Sequence, residues 1–343
     1  MTYALMKNPA HTRVSFQDSD ALAVNELTVL AQNMNAKDIR IMQIGCLPYV
    51  LFDCEQTLSE SEICTLSRLS FVYAIFELQG DMLKPVALNA NYFIDSELSS
   101  ILKYQGKTNE LFTRLMLNLA QFYVKTPPDI LNILDPLAGK GTTLYEALIQ
   151  GHNAYGVEAD DKVVHESVVY LKKYLETAKY KHENHAEKVS GQSPAGKFAA
   201  VRNQITIARS KVEQKNARHF EIIAGDTRNT AAFFRKNLFH AIVADLPYGV
   251  QHGSKVGNKK QKPQSGTITR NALGLISEAM PGWVRVLKPG GVIVLAWNLF
   301  LISRNEMAEL LVQNGFAVPD LGVDFSHRVD QAIDRDLMVG VLR

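Results

Sequence analysis

Downstream of residue 130 the chain alternates strand-like and helix-like runs, and this alternation constrains the fold more than any other feature. Residues 130–134 form an apolar run of strand length. A glycine-bearing turn follows, then a helical stretch over 143–150, a strand-like run over 154–157 and a helical stretch over 162–175. The order resumes with a strand at 220–224, a helix near 230–236, a strand at 240–244, a helix at 272–287 and a strand at 292–296. A helix at 304–314 and strand-like pieces near Phe316 and at 337–342 end the chain. Parallel strands need long crossovers, which are usually helices, so the pattern predicts an α/β fold with a mostly parallel sheet.

Residues 1–85 read differently, as a small α+β unit. Strands are expected at 2–6, 39–44, 48–52 and 69–78, with a helix over 18–35. A connecting stretch over 81–106 and a strongly amphipathic helix over 109–123 lead into the alternating part, taken as 86–343. Hydrophobic residues make up 46% of the 343 and charged residues 21%, a balance that excludes global disorder and supplies a core. The net charge of +2 argues for no particular partner, so the distribution of charge carries more information than its sum.

No apolar run reaches the roughly 20 residues that span a bilayer. The first residues lack a signal-peptide pattern, so a cytoplasmic protein without a membrane partner is expected. Cys46, Cys54 and Cys64 match no metal-ligand spacing and read as reduced, mostly buried thiols; no metal is expected.

The first chemistry-bearing motif follows the strand at 130–134: Asp135, Pro136, Leu137, Ala138, Gly139, Lys140, Gly141, Thr142. Glycines after a strand allow close ligand approach and open a helix whose N-terminus favours polar groups. Leu144 excludes the dinucleotide fingerprint, and the Gly-Lys-Ser/Thr order of a P-loop is absent. Glu158 closes the next strand, where a carboxylate suits ribose hydroxyls. Asp226 follows the strand after that, placed to bond an adenine amino group. The loop, Glu158 and Asp226 at successive strand ends predict an adenosyl ligand. Asn109, at the start of the helix over 109–123, either contacts the ligand's far end or caps the helix.

The second motif is Asp245, Leu246, Pro247, Tyr248, at the end of the strand over 240–244. An amine on a nucleobase delocalises its lone pair into the ring and is a poor nucleophile. The Asp245 carboxylate and the carbonyl of Leu246 or Pro247 would accept its hydrogens and favour a pyramidal nitrogen. Tyr248 would stack on the base. A base in a duplex must flip out to enter.

These residues carry a resemblance. The chain resembles the class I methyltransferases that use S-adenosylmethionine. Within them it is similar to the THUMP-associated tRNA guanine-N2 methyltransferases and their Trm-eleven-like bacterial relatives. The segments that carry it are 106–110, 135–142, 245–253 and 327–333. The resemblance spans roughly residues 100–343. It implies a Rossmann-like sheet with an antiparallel last strand and methyl transfer to guanine N2, with tRNA as the expected substrate. It places Asp135, Gly139 and Gly141 in the cofactor loop, Glu158 at the ribose, Asp226 at the adenine and residues 245–248 in the catalytic pocket. Two features depart from the family: the N-terminal 85 residues are short for a ferredoxin-like plus a THUMP domain, and the insertion 176–219 has no counterpart.

Two basic stretches are candidate RNA contacts. Residues 250–271 hold Lys255, Lys259, Lys260, Lys262 and Arg270, and no acid lies between Asp245 and Glu278. Residues 171–219 hold eleven Lys and Arg against four Asp and Glu, and the insertion reads as two helical halves broken at 190–196. Competing readings are adenine-N6 methylation of RNA or DNA, methylation of a protein glutamine amide, and a catalytically silent RNA-binding module. The sequence does not fix the oligomeric state.

Overall fold

The computed structural model describes residues 1–9, 19–101, 108–210, 214–247 and 265–343. It is a mixed α/β structure with one large, mostly parallel sheet and a separate small antiparallel sheet.

The small sheet comes from β1 (Thr2–Lys7), β2 (Lys37–Ile44), β3 (Leu47–Asp53), β4 (Val72–Gln79) and β5 (Met82–Val86), in the order β2-β3-β1-β4-β5. Helices α1 (Ser19–Leu30) and α2 (Glu60–Ser67) interleave to give the order β-α-β-β-α-β, the split arrangement of ferredoxin-like units. Tyr3, Leu5, Leu27, Val50, Phe52, Leu66 and Ile75 form the core beneath these helices. Two elements lie outside the sequence expectation. Helix α2 is only eight residues long, and a Ser59–Glu62 capping box supports it. Strand β5 falls in the stretch read as a connector; it pairs only with β4 and buries little, so it leaves no alternating pattern.

The second part begins with α3 (Glu110–Tyr123) and continues with β6 (Asn132–Asp135), α4 (Thr142–Ile149), β7 (Asn153–Glu158) and α5 (Asp161–Thr177). Then come β8 (Lys181–Ser193), β9 (Gly196–Ala208), β10 (Arg218–Ala224), β11 (Phe239–Asp245), α6 (Ser265–Val286), β12 (Leu287–Asn298), α7 (Arg304–Gln313), β13 (Phe316–Ala317), β14 (His327–Arg328) and β15 (Asp334–Leu342). The large sheet runs β13-β15-β12-β11-β6-β7-β10-β9-β8, with β14 on β15. Its centre, β12-β11-β6-β7-β10, is parallel, and β15 returns antiparallel against β12.

Strand β11 shows how both faces become buried. Ala241 and Val243 point into one core with Leu115, Leu119 and Leu148 of α3 and α4. Ile242 and Ala244 point into the other with Ile276, Met280, Trp283 and Leu311 of α6 and α7. A strand buried on both sides reads as a continuous apolar run, as 240–244 does. Trp283 is fully buried, worth about 2–3 kcal/mol, and its indole N–H donates to Thr227 Oγ1 at 3.0 Å.

The insertion departs from its helical reading. It is a β-hairpin in which β8 and β9 pair in unbroken antiparallel register from Lys181–Ala208 to Ser193–Gly196. β9 extends the sheet beyond β10 and buries Ile205 and Ile207 on one face. β8 is a polar edge strand with almost nothing buried, so period-2 burial could not mark it. Helix α6 also starts at Ser265 rather than 272. The β-branched Thr267, Ile268 and Thr269 weaken the helical signal there. Of the three free thiols only Cys54 is buried; Cys64 is half-buried and Cys46 exposed.

Candidate functional site

The chain leaves β6, builds outward through β7 and β10, then crosses back to place β11 on the other side of β6. The order therefore reverses between β6 and β11. In open α/β sheets, ligands bind at such a switch point, at the carboxyl ends of the strands. Asp135 ends β6 and Asp245 ends β11. In the register that pairs Ala241 with Ile133, Asp245 stands two residues beyond Asp135. Glu158 ends β7, and Asp226 follows β10. Four acids thus line one edge of four neighbouring strands.

The glycine loop bridges two of these ends. Asp135 is buried, and its Oδ1 accepts the Leu137 N–H at 3.0 Å. Burial pushes its carboxyl up to about 7; hydrogen bonds from Thr143 and Leu137 oppose this, while Asp245 and Glu158 add to it. Pro136 and Ala138 are buried, and Ala138 N–H donates to the Val157 carbonyl at 2.9 Å. Gly139 and Gly141 have φ of +51° and +92°, a region that favours glycine. Gly139 N–H donates to Glu158 Oε2 at 3.0 Å, and Asp160 N–H donates to Oε1 at 2.9 Å. Glu158 thereby ties the loop to the next strand end. Gly141 caps α4 without a side-chain acceptor, and Thr142 is the first helical residue.

The two remaining candidate contacts have structural partners. Asp226 caps a 3₁₀ turn and takes a fork from Arg228, with Nε at 3.0 Å and Nη2 at 2.6 Å. This hydrogen bonding holds its carboxyl below the usual range. Asn109 caps α3: its Oδ1 accepts from Leu111 N–H at 2.8 Å and Phe112 N–H at 3.4 Å.

In the second motif, Asp245 is nearly buried and Thr108 Oγ1 donates to its Oδ2 at 2.7 Å. Arg335 Nη2 lies 3.9 Å from the same oxygen. Leu246 is buried, and its N–H continues the parallel ladder to the Ala296 carbonyl at 2.8 Å. Pro247 is exposed. Tyr248 and residues 249–264 lie outside the described residues, as do the side chains of 265–271.

Thr108 and Arg335 were not picked out as site residues by the sequence reading. Thr108 lies in the 106–110 segment, and Arg335 lies two residues beyond the 327–333 segment. That segment is a tight turn. Val329 N–H donates to the Ile333 carbonyl at 3.0 Å, and Asn298 Nδ2 donates to the Ala332 carbonyl at 2.9 Å, which delivers β15 in register.

A hollow of about 560 Å³ opens between α5 and β9, lined by residues such as Lys162, His165, Val201 and Asn203. Ala224, the last residue of β10 and the register partner of Glu158, also lines it, so the hollow adjoins the strand-end edge. In the hairpin Arg202 pairs with Glu187 and Glu221, both at 3.0 Å, while Lys181, Lys188 and Lys197 are exposed. The Arg209 and Arg218 guanidinium groups donate to the carbonyls of Phe93 and Gly151. No group of three or more metal-ligating side chains occurs among the described residues, and no helix there is long and apolar enough to cross a membrane.

Residues 102–279, just over half of the chain, match the family model described as UPF0020, RMKL-like, methyltransferase domain. Among solved structures, TrmN from Thermus thermophilus is 15% identical over 89% of this chain, with a TM-score of 0.42. This chain spans only 59% of the length of that TrmN structure. A candidate RNA methyltransferase from Pyrococcus horikoshii is 15% identical over 72% of this chain and 97% of its own, with a TM-score of 0.40. A TehB-like SAM-dependent methyltransferase from Corynebacterium glutamicum is 13% identical over 63% of this chain and 83% of its own, with a TM-score of 0.35. Among curated proteins, no sequence matches.

Proposed function

This chain belongs to the family of RMKL-like methyltransferase domains, and on that premise we propose that it methylates an exocyclic amino group of a nucleobase in RNA, guanine N2 of a tRNA foremost. The observation that carries this reading is the placement of Asp135 and Asp245 on the two strands that flank the switch point. One belongs to the glycine loop and the other to the amine-accepting motif.

The cofactor is S-adenosyl-L-methionine, which supplies an electrophilic methyl group on a sulfonium. The loop fits such a ligand. A Cβ built on Gly139 meets nothing within 4 Å, so the space above it is open, while one on Gly141 would meet Ser167 Oγ at 2.9 Å. The loop is thus packed from below at Gly141 and accessible at Gly139. Asp135, Pro136, Ala138, Gly139, Gly141 and Thr142 would cradle the cofactor. Glu158 would take its ribose hydroxyls on lone pairs beyond those used by Gly139 and Asp160. Asp226 would meet its adenine, competing with Arg228. Asn109 would lie near its methionine end, with its side-chain oxygen kept on the cap of α3.

Asp245 would accept a hydrogen of the substrate amine, helped by the carbonyl of Leu246 or Pro247. This would leave the nitrogen lone pair to take the methyl group that the cofactor supplies, with the Asp245 carboxylate as acceptor of the proton that the methylated nitrogen releases. Tyr248 would stack on the base. These are positioning and electrostatic contributions. Contact with RNA phosphates is assigned to 250–271, with the insertion 176–219 as a second patch through the exposed Lys181, Lys188 and Lys197. We place the domain division at 1–85 and 86–343, with the N-terminal unit as a docking or packing module.

Mass analysis of RNA nucleosides from a deletion strain tests this reading. Loss of N2-methylguanosine is expected. Loss of N6-methyladenosine instead would reassign the base.

A further inference from the structure

Asp245 shares the strand-end edge with Glu158 and with the buried Asp135, whose carboxyl both of them push upward. Mutual repulsion favours turning such a carboxylate out toward water. Among the described residues, Thr108 and Arg335 oppose that. Thr108, one residue before the cap of α3, donates to Oδ2 at 2.7 Å. Arg335 reaches over from β15, two strands away, to place Nη2 at 3.9 Å from the same oxygen.

The arginine is itself held. Its side chain is only 7% exposed, and its guanidinium lies over the Phe112 ring, 4.6 Å from the centroid. Phe112 belongs to the first turn of α3 and packs against His327 of β14, with ring centroids 5.1 Å apart. A buried guanidinium is stable only near compensating charge, and a flat aromatic face suits its planar group in a way a lysine cannot match.

We propose that Thr108 and Arg335 are positioning residues that hold the Asp245 carboxylate through Oδ2, setting the direction from which it meets the substrate amine. The proposal rests on the reading of Asp245 as the amine acceptor. It assigns a purpose to two of the segments that flank the motif: 106–110 delivers Thr108, and the turn at 327–333 delivers Arg335. Misplacing a reacting group by about 1 Å can cost on the order of 100-fold in rate.

The test uses the full chain carrying Thr108→Val, Thr108→Ser, Arg335→Met or Arg335→Lys. Thr108→Val keeps the shape and removes the donor. Arg335→Met removes a buried charge while keeping an apolar stem against Phe112. Both should lower kcat about 10-fold or more, with KM for RNA and the Kd for S-adenosylmethionine within about threefold of the parent. Thr108→Ser should recover most of the rate, and Arg335→Lys only part of it. Crystal structures of Thr108→Val and Arg335→Met supply a readout that needs no activity: the Asp245 carboxylate should swing to a different rotamer. An unmoved Asp245 in both overturns the proposal, whatever the kinetics, and so does a rise in KM with kcat unchanged. If the parent protein transfers no methyl group to RNA while the variants still release Asp245, the functional reading fails and the positioning role stands.

Discussion

Glu26 of α1 and Asn118 of α3 meet in a buried hydrogen bond, Asn118 Nδ2 to Glu26 Oε1 at 2.7 Å, that joins the N-terminal unit to the helix leading into the site. Glu26 is fully buried and also accepts from the Ser70 backbone N–H and hydroxyl. Asn118 donates in addition to the Arg68 carbonyl at 2.9 Å. Helix α3 carries Asn109 and Phe112 at its start, so the same rigid element touches both the N-terminal sheet and the surroundings of Asp245.

Asn118→Ala should therefore cost about 1–3 kcal/mol, because it removes the shorter of two hydrogen bonds to the buried Glu26 Oε1 and the donor to the Arg68 carbonyl. Asn118→Asp should cost more, since a second carboxylate would face Glu26. Burial raises the Glu26 carboxyl above its usual range, so protonation at acid pH should relieve part of the Asn118→Asp deficit. Urea unfolding of the parent and both variants at pH 5 and pH 8 measures this. Equal deficits for Ala and Asp at pH 8 would show that the charge is irrelevant.

The two loop glycines should respond differently to alanine. Gly141→Ala meets Ser167 Oγ at 2.9 Å and forces a side chain to φ +92°, so it should destabilise the fold by about 1–3 kcal/mol. Gly139→Ala meets no atom and should cost only about 1 kcal/mol from its φ of +51°. Its methyl group would nevertheless occupy the open space where the cofactor is placed. Calorimetry with S-adenosylmethionine should show a 10-fold or greater loss of affinity for Gly139→Ala, against near-parental thermal stability. Unchanged affinity would remove Gly139 from the cofactor site.

The parallel core and both motifs were legible because strands buried on two faces leave plain apolar runs, as 240–244 and 130–134 do. The polar hairpin was not: β8 satisfies its backbone by pairing with β9 while exposing nearly every side chain, so composition suggested a solvated helix instead. Within the site, the residues at strand ends could be named from spacing alone. Thr108 and Arg335 could not, because each reaches Asp245 through tertiary packing across more than 80 positions of sequence. The capping role of Asn109 and the Arg228 fork on Asp226 likewise appear only once neighbouring backbone is in place.

Asp245→Asn should separate binding from transfer. The substitution keeps size and replaces one acceptor oxygen by a donor NH₂, which cannot accept the substrate amine's hydrogen. Single-turnover rates should fall by roughly 100-fold or more, while S-adenosylmethionine affinity stays within about threefold. Near-parental turnover would displace the pocket from residues 245–248.

Asp135 makes a prediction about pH. Burial holds its carboxyl near 7 in the folded protein, against 3.8 ordinarily. Between about pH 4 and 7 the folded state keeps a proton that the unfolded chain has lost. Folding then takes up a proton, and this contribution to stability falls as pH rises through that window. The full displacement corresponds to roughly 4 kcal/mol by pH 8. His152 and His240 act in the opposite sense. Burial lowers them to about 3 and about 4, so the unfolded chain binds more protons there and their contributions rise with pH up to about 6.5. Both histidines are common to the parent and to Asp135→Asn, so the difference between the two proteins isolates Asp135. Asp135→Asn should gain stability relative to the parent between pH 5 and pH 8, by about 2 kcal/mol or more in urea unfolding of the ligand-free protein. A difference independent of pH would mean that Asp135 is ionised throughout, with its charge compensated by Thr143 and Leu137 alone.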